Sequence, residues 1–363
     1  GGVILVTRSL ALETRGRELR KLRVDAFFPQ DVRDYEDYKR LLREHLEHLA
    51  ALDALDEGAE LIMIDGSLFG RMSHVPRELR VEGREDFVLE YIETYGDLLS
   101  RAAESGTAVV GVSKDSRSTL LREELLLSEL MGFLDNPALA ERVLRLWRKL
   151  RRRPRQALEE VRELEKEGLD PRVLEVFMEA RNPLPDSKLL MSMNLDPGYT
   201  LPLRLGLERI PMGVIDVALE EDEKLHEAMK SMFEKTFDRL GTGFRDKVES
   251  VLRALRNYPP ILTSYVVFSR GDDPVRVDAS LATGRPPASS TSFCSEVPEE
   301  FQRILRHLAY LYAGRRGYNV LLLEADRRVR ATAETMELYH RLAMKELNEL
   351  IVHSRGERRF FVP

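Results

Sequence analysis

The chain has 363 residues, 43% hydrophobic and 33% charged, with a formal net charge of −6. That length favours two or three structural units, and the apolar fraction excludes a disordered chain. The single cysteine, Cys294, excludes an internal disulfide and fits a reducing cytoplasm, no apolar stretch reaches membrane-spanning length, and the first residues do not read as a signal peptide.

In chain order, residues 15 to 52 predict mainly helix. The stretch 33–55 is dense in Leu, Glu, Arg and Ala, and Leu41, Leu42, Leu46, Leu49 and Leu52 form a helical apolar stripe. It reads as a helix packed on the core, with oligomer contact as the second reading. A first strand is expected over 60–69, with a short return strand at 78–81. A helix over 86–104 would bury Phe87, Leu89, Tyr91, Ile92, Tyr95, Leu98 and Leu99 and end at Gly106. The near-continuous apolar run 107–112 predicts a strand buried on both faces, and strand, helix and strand together suggest an α/β domain.

From 116 to about 184 the pattern is almost wholly helical, with segments at 120–134, 137–150, 156–166 and 171–180, and reads as a helical insertion. Trp147 reads as helix packing. Further strands are expected at 212–219, 261–268 and 275–279, helices at 222–256 (broken near Gly241 and Gly243), 299–311 and 333–350, and a polar loop at 284–291. The run Asn319 to Leu323 predicts a third strand, ending in Glu324-Ala325-Asp326.

Three apolar runs thus release a carboxylate at the C-terminal end: Asp65, Asp115 and Asp326. Open sheets bind ligands at such strand ends, and clustered carboxylates there suit magnesium or manganese. Two divalent ions about 4 Å apart can activate water, balance the charge on phosphorus and stabilise the leaving oxygen of a phosphodiester. Asp65, on an expected central strand, is the candidate to bridge both ions. A fourth carboxylate is expected from the helix at 86–104, with Glu93 favoured over Glu90 and Glu104. Ser67, Lys114 and Arg117 are candidate phosphate contacts, although Lys114 and Asp115 would face opposite ways if the strand continued. The bland reading is that an Asp after a strand is a cap or turn former, and that Glu93 is a surface charge.

Arg151-Arg152-Arg153 and Arg155 form the sharpest basic cluster, which can hold a DNA backbone or simply be a solvated helix end. Arg270, Arg315, Arg316, Arg327, Arg328 and Arg330 could converge on the site. Tyr199, Tyr265, Tyr310 and Tyr312 could stack on bases, with Tyr265 and Tyr310 reading first as core. No phosphate-binding Walker loop is present, so a motor would have to be another chain. The acidic net charge argues mildly against nucleic acid, but affinity follows local basic surface.

Four stretches resemble a known family: Ile62-Met63-Ile64-Asp65-Gly66-Ser67; Val109 through Arg117; Asp186-Ser187-Lys188-Leu189-Leu190 followed by Pro197-Gly198-Tyr199-Thr200; and Leu322-Leu323-Glu324-Ala325-Asp326 with Arg330. Val275-Arg276-Val277-Asp278 also falls where the family has a strand with an arginine and an acid. Together they resemble the NurA-family nucleases, partners of the HerA DNA-translocating ATPase. The resemblance implies an α/β, RNase H-like mixed-sheet core with long flanking helices. It places residues 1–55 in an N-terminal helical or dimerisation region, 56–118 and 186–335 in the nuclease core, 119–185 in the insertion and 336–363 in a C-terminal helix and tail.

It further implies a cytoplasmic homodimer that acts with a HerA-type hexameric ATPase in DNA end resection for homologous recombination. The implied activity is manganese-dependent (magnesium also possible) single-strand endonuclease and 5′–3′ exonuclease on single- and double-stranded DNA, with two ions per site. Asp65, Glu93, Asp115 and Asp326 would be metal ligands, with His340 as a further catalytic group. Ser67, Lys114, Arg117, Arg276, Arg327 and Arg330 would contact DNA. The rival readings are a non-catalytic adaptor for DNA or motor, and a nuclease acting on RNA or hybrids.

Overall fold

Two long strands open the chain. In this computed structural model, which describes residues 3–14, 16–27, 32–74, 76–206, 222–234, 237, 243–256, 258–281 and 291–347, β1 (Val3–Leu12) and β2 (Glu18–Phe27) form an antiparallel hairpin paired over ten residues. Helix was expected from residue 15. The hairpin was hidden because its polarity is inverted: Thr7, Ser9 and Asp25 are buried, whereas Leu22 and Val24 are exposed. Asp25 can be buried because Arg23 and Arg84 both reach its carboxylate.

Helix α1 (Val32–Asp56) comes next. It buries Leu41, Leu42 and Leu46 of the expected stripe, with Leu49 and Leu52 half-buried, and also buries Tyr38, His45 and His48. After it stand β3 (Leu61–Asp65), the short α2 (Leu68–Met72), α3 (Phe87–Ser105) and β4 (Ala108–Ser113). All seven expected core positions of α3 are buried, and Gly106 caps the helix at φ +76°. Residues 78–81 form no strand; the Glu78 and Leu79 amides donate instead to the carbonyls of Met232 and Glu85.

The insertion comprises α4 (Leu120–Gly132), α5 (Pro137–Arg152), α6 (Pro154–Lys166) and α7 (Pro171–Ala180). These helices enclose a core of their own around Leu130, Val143, Trp147, Val161, Val173 and Phe177. Trp147 meets Phe177 edge-on at 5.4 Å between ring centroids, the favoured aromatic geometry. Entry to and exit from the insertion are stapled together. Asp186, fully buried at the start of α8 (Asp186–Ser192), accepts hydrogen bonds from the Leu121 amide (3.1 Å), the Arg122 amide (2.9 Å) and the Tyr265 hydroxyl (2.8 Å). The buried Arg122 guanidinium in turn donates to the Asn182 carbonyl at 2.7 Å and to Glu179.

The chain continues through β5 (Gly198–Tyr199), β6 (Leu203–Leu205), α9 (Asp222–Met232), α10 (Gly243–Arg256), β7 (Ile261–Val267), β8 (Val275–Ser280) and β9 (Ser292–Phe293). It ends in α11 (Glu299–Tyr310), α12 (Gly314–Gly317), α13 (Val320–Val329) and α14 (Ala333–Leu347). The expected strand at 212–219, the loop at 284–290 and residues 348–363 lie outside the described residues. No helix among the described residues is long and apolar enough to cross a membrane.

The main sheet has the strand order β3-β4-β8-β7-β6-β9, with β5 also pairing β7. β3 and β4 are parallel and every other pairing is antiparallel, so the fold is mixed α/β. One face packs on α1, α3 and α10 and the other on α11 and Tyr318.

The fold corrects three further expectations. β3 lies at the edge of the sheet, not at its centre. The run after Asn319 is helix α13, not a strand. Four consecutive apolar residues fit either form, but the Asn319 side chain caps the amides of Leu321 and Leu322, and Glu324–Arg328 and Asp326–Arg330 pair one helical turn apart. Tyr310 is 90% exposed rather than in the core, where Tyr265 does lie.

Candidate active site

Because β3 and β4 run parallel, their C-terminal ends share one edge of the sheet. Asp65 is the last residue of β3, and Asp115 lies two residues beyond the end of β4. Alternation along β3 puts Leu61, Met63 and Asp65 on the face covered by α11 and Tyr318.

The Tyr318 hydroxyl donates to Asp65 Oδ1 at 3.0 Å. Burial raises the Tyr318 phenol pKa well above its ordinary value, and the charges of Asp65, Asp326 and Asp115 push it further in that direction. All three aspartates therefore act on one phenol. Lys114 Nζ stands over the same ring, 5.4 Å from its centroid. The strand has ended at Ser113, so Lys114 and Asp115 escape the alternation that would have turned them apart. Tyr318 is held at φ +37°, a backbone conformation uncommon outside glycine. The buried Asn319 is its direct neighbour.

An edge strand needs support for its end, and Arg71 supplies it. Its buried guanidinium donates to the Asp65 carbonyl at 3.1 Å, lies 3.0 Å from His48 Nε2 and pairs with Glu47 of α1. The Gly66 amide donates to the Val112 carbonyl at 2.9 Å, which ties the end of β3 to β4. Gly111 lets this turn lie flat on the sheet: a Cβ there would stand 2.5 Å from the Gly66 carbonyl oxygen and 2.9 Å from the Leu68 nitrogen.

A buried carboxylate beneath the turn fixes the start of α2. Asp278, on the sheet face opposite Asp65, accepts from the Ser67 hydroxyl (2.6 Å), the Phe69 amide (3.2 Å), Thr263 Oγ1 (2.5 Å) and Arg276 Nε (2.8 Å). This corrects two expectations. Arg276 is 5% exposed and held in a buried ion pair, so it does not face a DNA strand. The Ser67 hydroxyl is committed to Asp278 and to capping α2 through the Gly70 amide.

The expected helix glutamate does not join the aspartates. α3 packs on the opposite face of the sheet, Glu93 and Glu104 point to solvent, and Glu90 pairs with His45 and Arg23. Asp326 pairs with Arg330, Arg327 and Arg117 are exposed, and His340 stands half-buried on α14. Arg270, Arg315 and Arg328 each pair with a carboxylate. Among the described residues no three His, Cys, Asp or Glu side chains stand close enough together to hold one metal ion. The donor chemistry itself suits a hard divalent cation: exposed Asp65 and Asp115 and half-buried Asp326 all offer carboxylate oxygens, and the charges of all three act on the Tyr318 phenol.

Sequence reasoning missed Tyr318, Arg71, Asp278 and the Asp186–Tyr265 staple as structural determinants of the site. Of these, Asp186 and Asp278 fall within the family-like motifs. Nothing in sequence joins Tyr318 to Asp65, 253 residues away.

The chain is a mixed α/β protein whose two parallel strands lead into Asp65 and Asp115 at one edge of the sheet. The family is shown directly: a family model for the NurA domain matches residues 1–331. The chain belongs to the NurA family. Among solved structures it is similar to the crystal structure of the NurA nuclease from Sulfolobus solfataricus, at 14% identity and a TM-score of 0.46, over 96% of this chain and 83% of that one. No curated protein matches.

Proposed function

We propose that this chain is a divalent-metal-dependent DNA nuclease in which Asp65, Asp115 and Asp326 hold manganese or magnesium, two ions per site. The observation that carries this reading is the Tyr318 hydroxyl bonded to Asp65 at the β3–β4 edge, on a phenol that also feels the charges of Asp326 and Asp115. Family membership supports it. When bound, the ions would lower the pKa of water and balance charge on the phosphate.

The chain's own residues supply position and charge. Arg71 fixes the Asp65 backbone, and the Tyr318 phenol holds Oδ1, leaving Oδ2 for a ligand. Lys114 and Arg117 offer cations to the phosphodiester without reading bases. Glu93 and His340 enter this reading only if they move toward the aspartates on binding. Work on single- and double-stranded DNA as endonuclease and 5′–3′ exonuclease, as a homodimer with a HerA-type hexamer in end resection, completes the proposal.

The test is Asp65→Asn assayed on single-stranded, duplex, RNA and hybrid substrates with manganese, magnesium or chelator. The expected result is at least a hundredfold loss of DNA cleavage with binding retained; one lost preorganised electrostatic interaction commonly costs roughly 10²–10³ in rate. Undiminished cleavage removes Asp65 from the site, and no metal-dependent cleavage by the unaltered chain favours an adaptor.

A further inference from the structure

We propose that the outer face of α5 is a second anchoring surface for the phosphodiester backbone of DNA, distinct from the aspartate site; this rests on the nuclease reading above. Between residues 142 and 155 the sequence carries eight Arg or Lys and no Asp or Glu. Seven of the eight are arginine, whose planar fork suits phosphate better than an ammonium does.

The fold turns this run outward. Val143, Leu146, Trp147 and Leu150 are buried in the core of the insertion, which leaves Arg145 and Arg148 exposed on the far side of α5. Arg153 and Arg155 are exposed where α5 passes into α6. Neighbouring cations pair with three nearby carboxylates: Arg142 with Glu167, Lys149 with Glu160 and Arg151 with Glu123. Among the described residues no carboxylate pairs with Arg145, Arg148, Arg153 or Arg155. Basic residues at a helix C-terminus are ordinarily explained by the macrodipole, but that effect fades within the last turn and does not reach Arg145 or Arg148.

A surface of uncompensated like charge repels itself and is relieved by a polyanion. No large apolar side chain between 142 and 155 is strongly exposed, whereas a protein partner generally needs an apolar centre to its interface. A DNA backbone needs none.

The position of the face also fits. The Arg151–Glu123 pair fastens the basic end of α5 to the first turn of α4. Glu123 is only eight residues beyond Asp115, the last few of them helical. Chain dimensions keep Glu123 within about 20–25 Å of Asp115, and the two side chains of the ion pair add about 10 Å to reach α5. That is roughly ten base pairs at 3.4 Å each, so a long duplex whose end lies at the aspartates can lie along α5.

The experiment is fluorescence anisotropy of the full chain on duplexes of about 8 and about 30 base pairs across a salt series, with divalent ions chelated so that DNA stays intact. The chain is compared with Arg145→Gln/Arg148→Gln/Arg153→Gln/Arg155→Gln, and with the same four positions changed to Lys. Thermal melting checks that each set folds. We expect the slope of log affinity against log salt on the long duplex to fall by about 0.9 for each phosphate no longer neutralised, up to about 3 to 4 in the Gln set. It should be largely restored in the Lys set, and the short duplex should be little affected.

Equal slopes for the unaltered chain and the Gln set overturn the proposal and leave the face to an acidic protein or to solvent. An equal loss on both duplex lengths also overturns it, because the arginines would then belong to the aspartate site. The cleavage assay with Asp65→Asn tests the nuclease reading separately, so each can fail while the other stands.

Discussion

Gly111 and Tyr318 bracket Asp65 from opposite faces of the sheet, and both are sensitive to single atoms. A methyl group at 111 meets backbone, which cannot swing aside as a side chain can. Overpacking of this kind costs typically about 1–3 kcal/mol, and Gly111→Ala should fall at the upper end, with the β3 turn displaced. Urea denaturation reads the loss, and unchanged stability would show that the turn slides freely on the sheet. Tyr318→Phe removes only the hydroxyl that holds Asp65 Oδ1. A hydrogen bond to a charged group contributes about 1.5–3 kcal/mol, so activity should drop at least about tenfold with folding intact. Full activity in that variant would leave the phenol as packing alone. The positions of Asp65 and Asp115 at or just beyond the ends of two strands were legible in sequence because an apolar run that stops at an acid is a local pattern. Tyr318 was not, because a tyrosine acquires its role from what lies opposite it.

At the level of elements, α1 braces the end of β3 through Glu47 and Arg71. Burial of Glu44 favours its neutral form, but the His74 ring, the Arg71 guanidinium and the Tyr91 hydroxyl outweigh that and bring its pKa from 4.5 to about 2. A carboxylate depressed in the folded state stabilises fully above its unfolded pKa and loses that contribution as pH falls through the folded value. Stability should therefore decline between about pH 4.5 and pH 2 by on the order of 2–3 kcal/mol from this group. Glu44→Gln should flatten that part of the curve in urea midpoints measured against pH; an unchanged slope would mean other carboxylates carry it. The helix was readable from Leu41, Leu42 and Leu46, but not the cluster it buries. His48, pushed well below its ordinary pKa chiefly by burial and then by Arg71, looks in sequence like any polar residue on a helix. The hairpin before it was misread because Leu22 and Val24 face outward. For α13 the apolar run was seen but its type was not, since the decision lies in an Asn319 cap and two pairs one turn apart.

For the whole molecule, the proposed metal site predicts that stability depends on ion binding. A ligand bound only by the folded state raises stability by RT ln(1 + [L]/Kd), about 2.7 kcal/mol at a hundredfold excess over Kd. Manganese should raise the melting temperature of the chain, and the shift should shrink sharply in Asp65→Asn. An equal shift in both proteins would place the ion elsewhere. The mixed α/β class and the helical run between 120 and 180 were legible because composition changes abruptly near 116 and again from Pro183 onward. Strand order was not, because β4 pairs β8 across more than 160 residues of sequence.

That separation also sets a timetable for synthesis. Asp65 and Asp115 leave the ribosome long before Tyr318, which is 253 residues beyond Asp65. At about 5–20 residues per second, the interval is on the order of tens of seconds. Throughout it the first aspartate has no phenol to orient it, and a nascent or prematurely released polypeptide carries the acids without the assembled pocket.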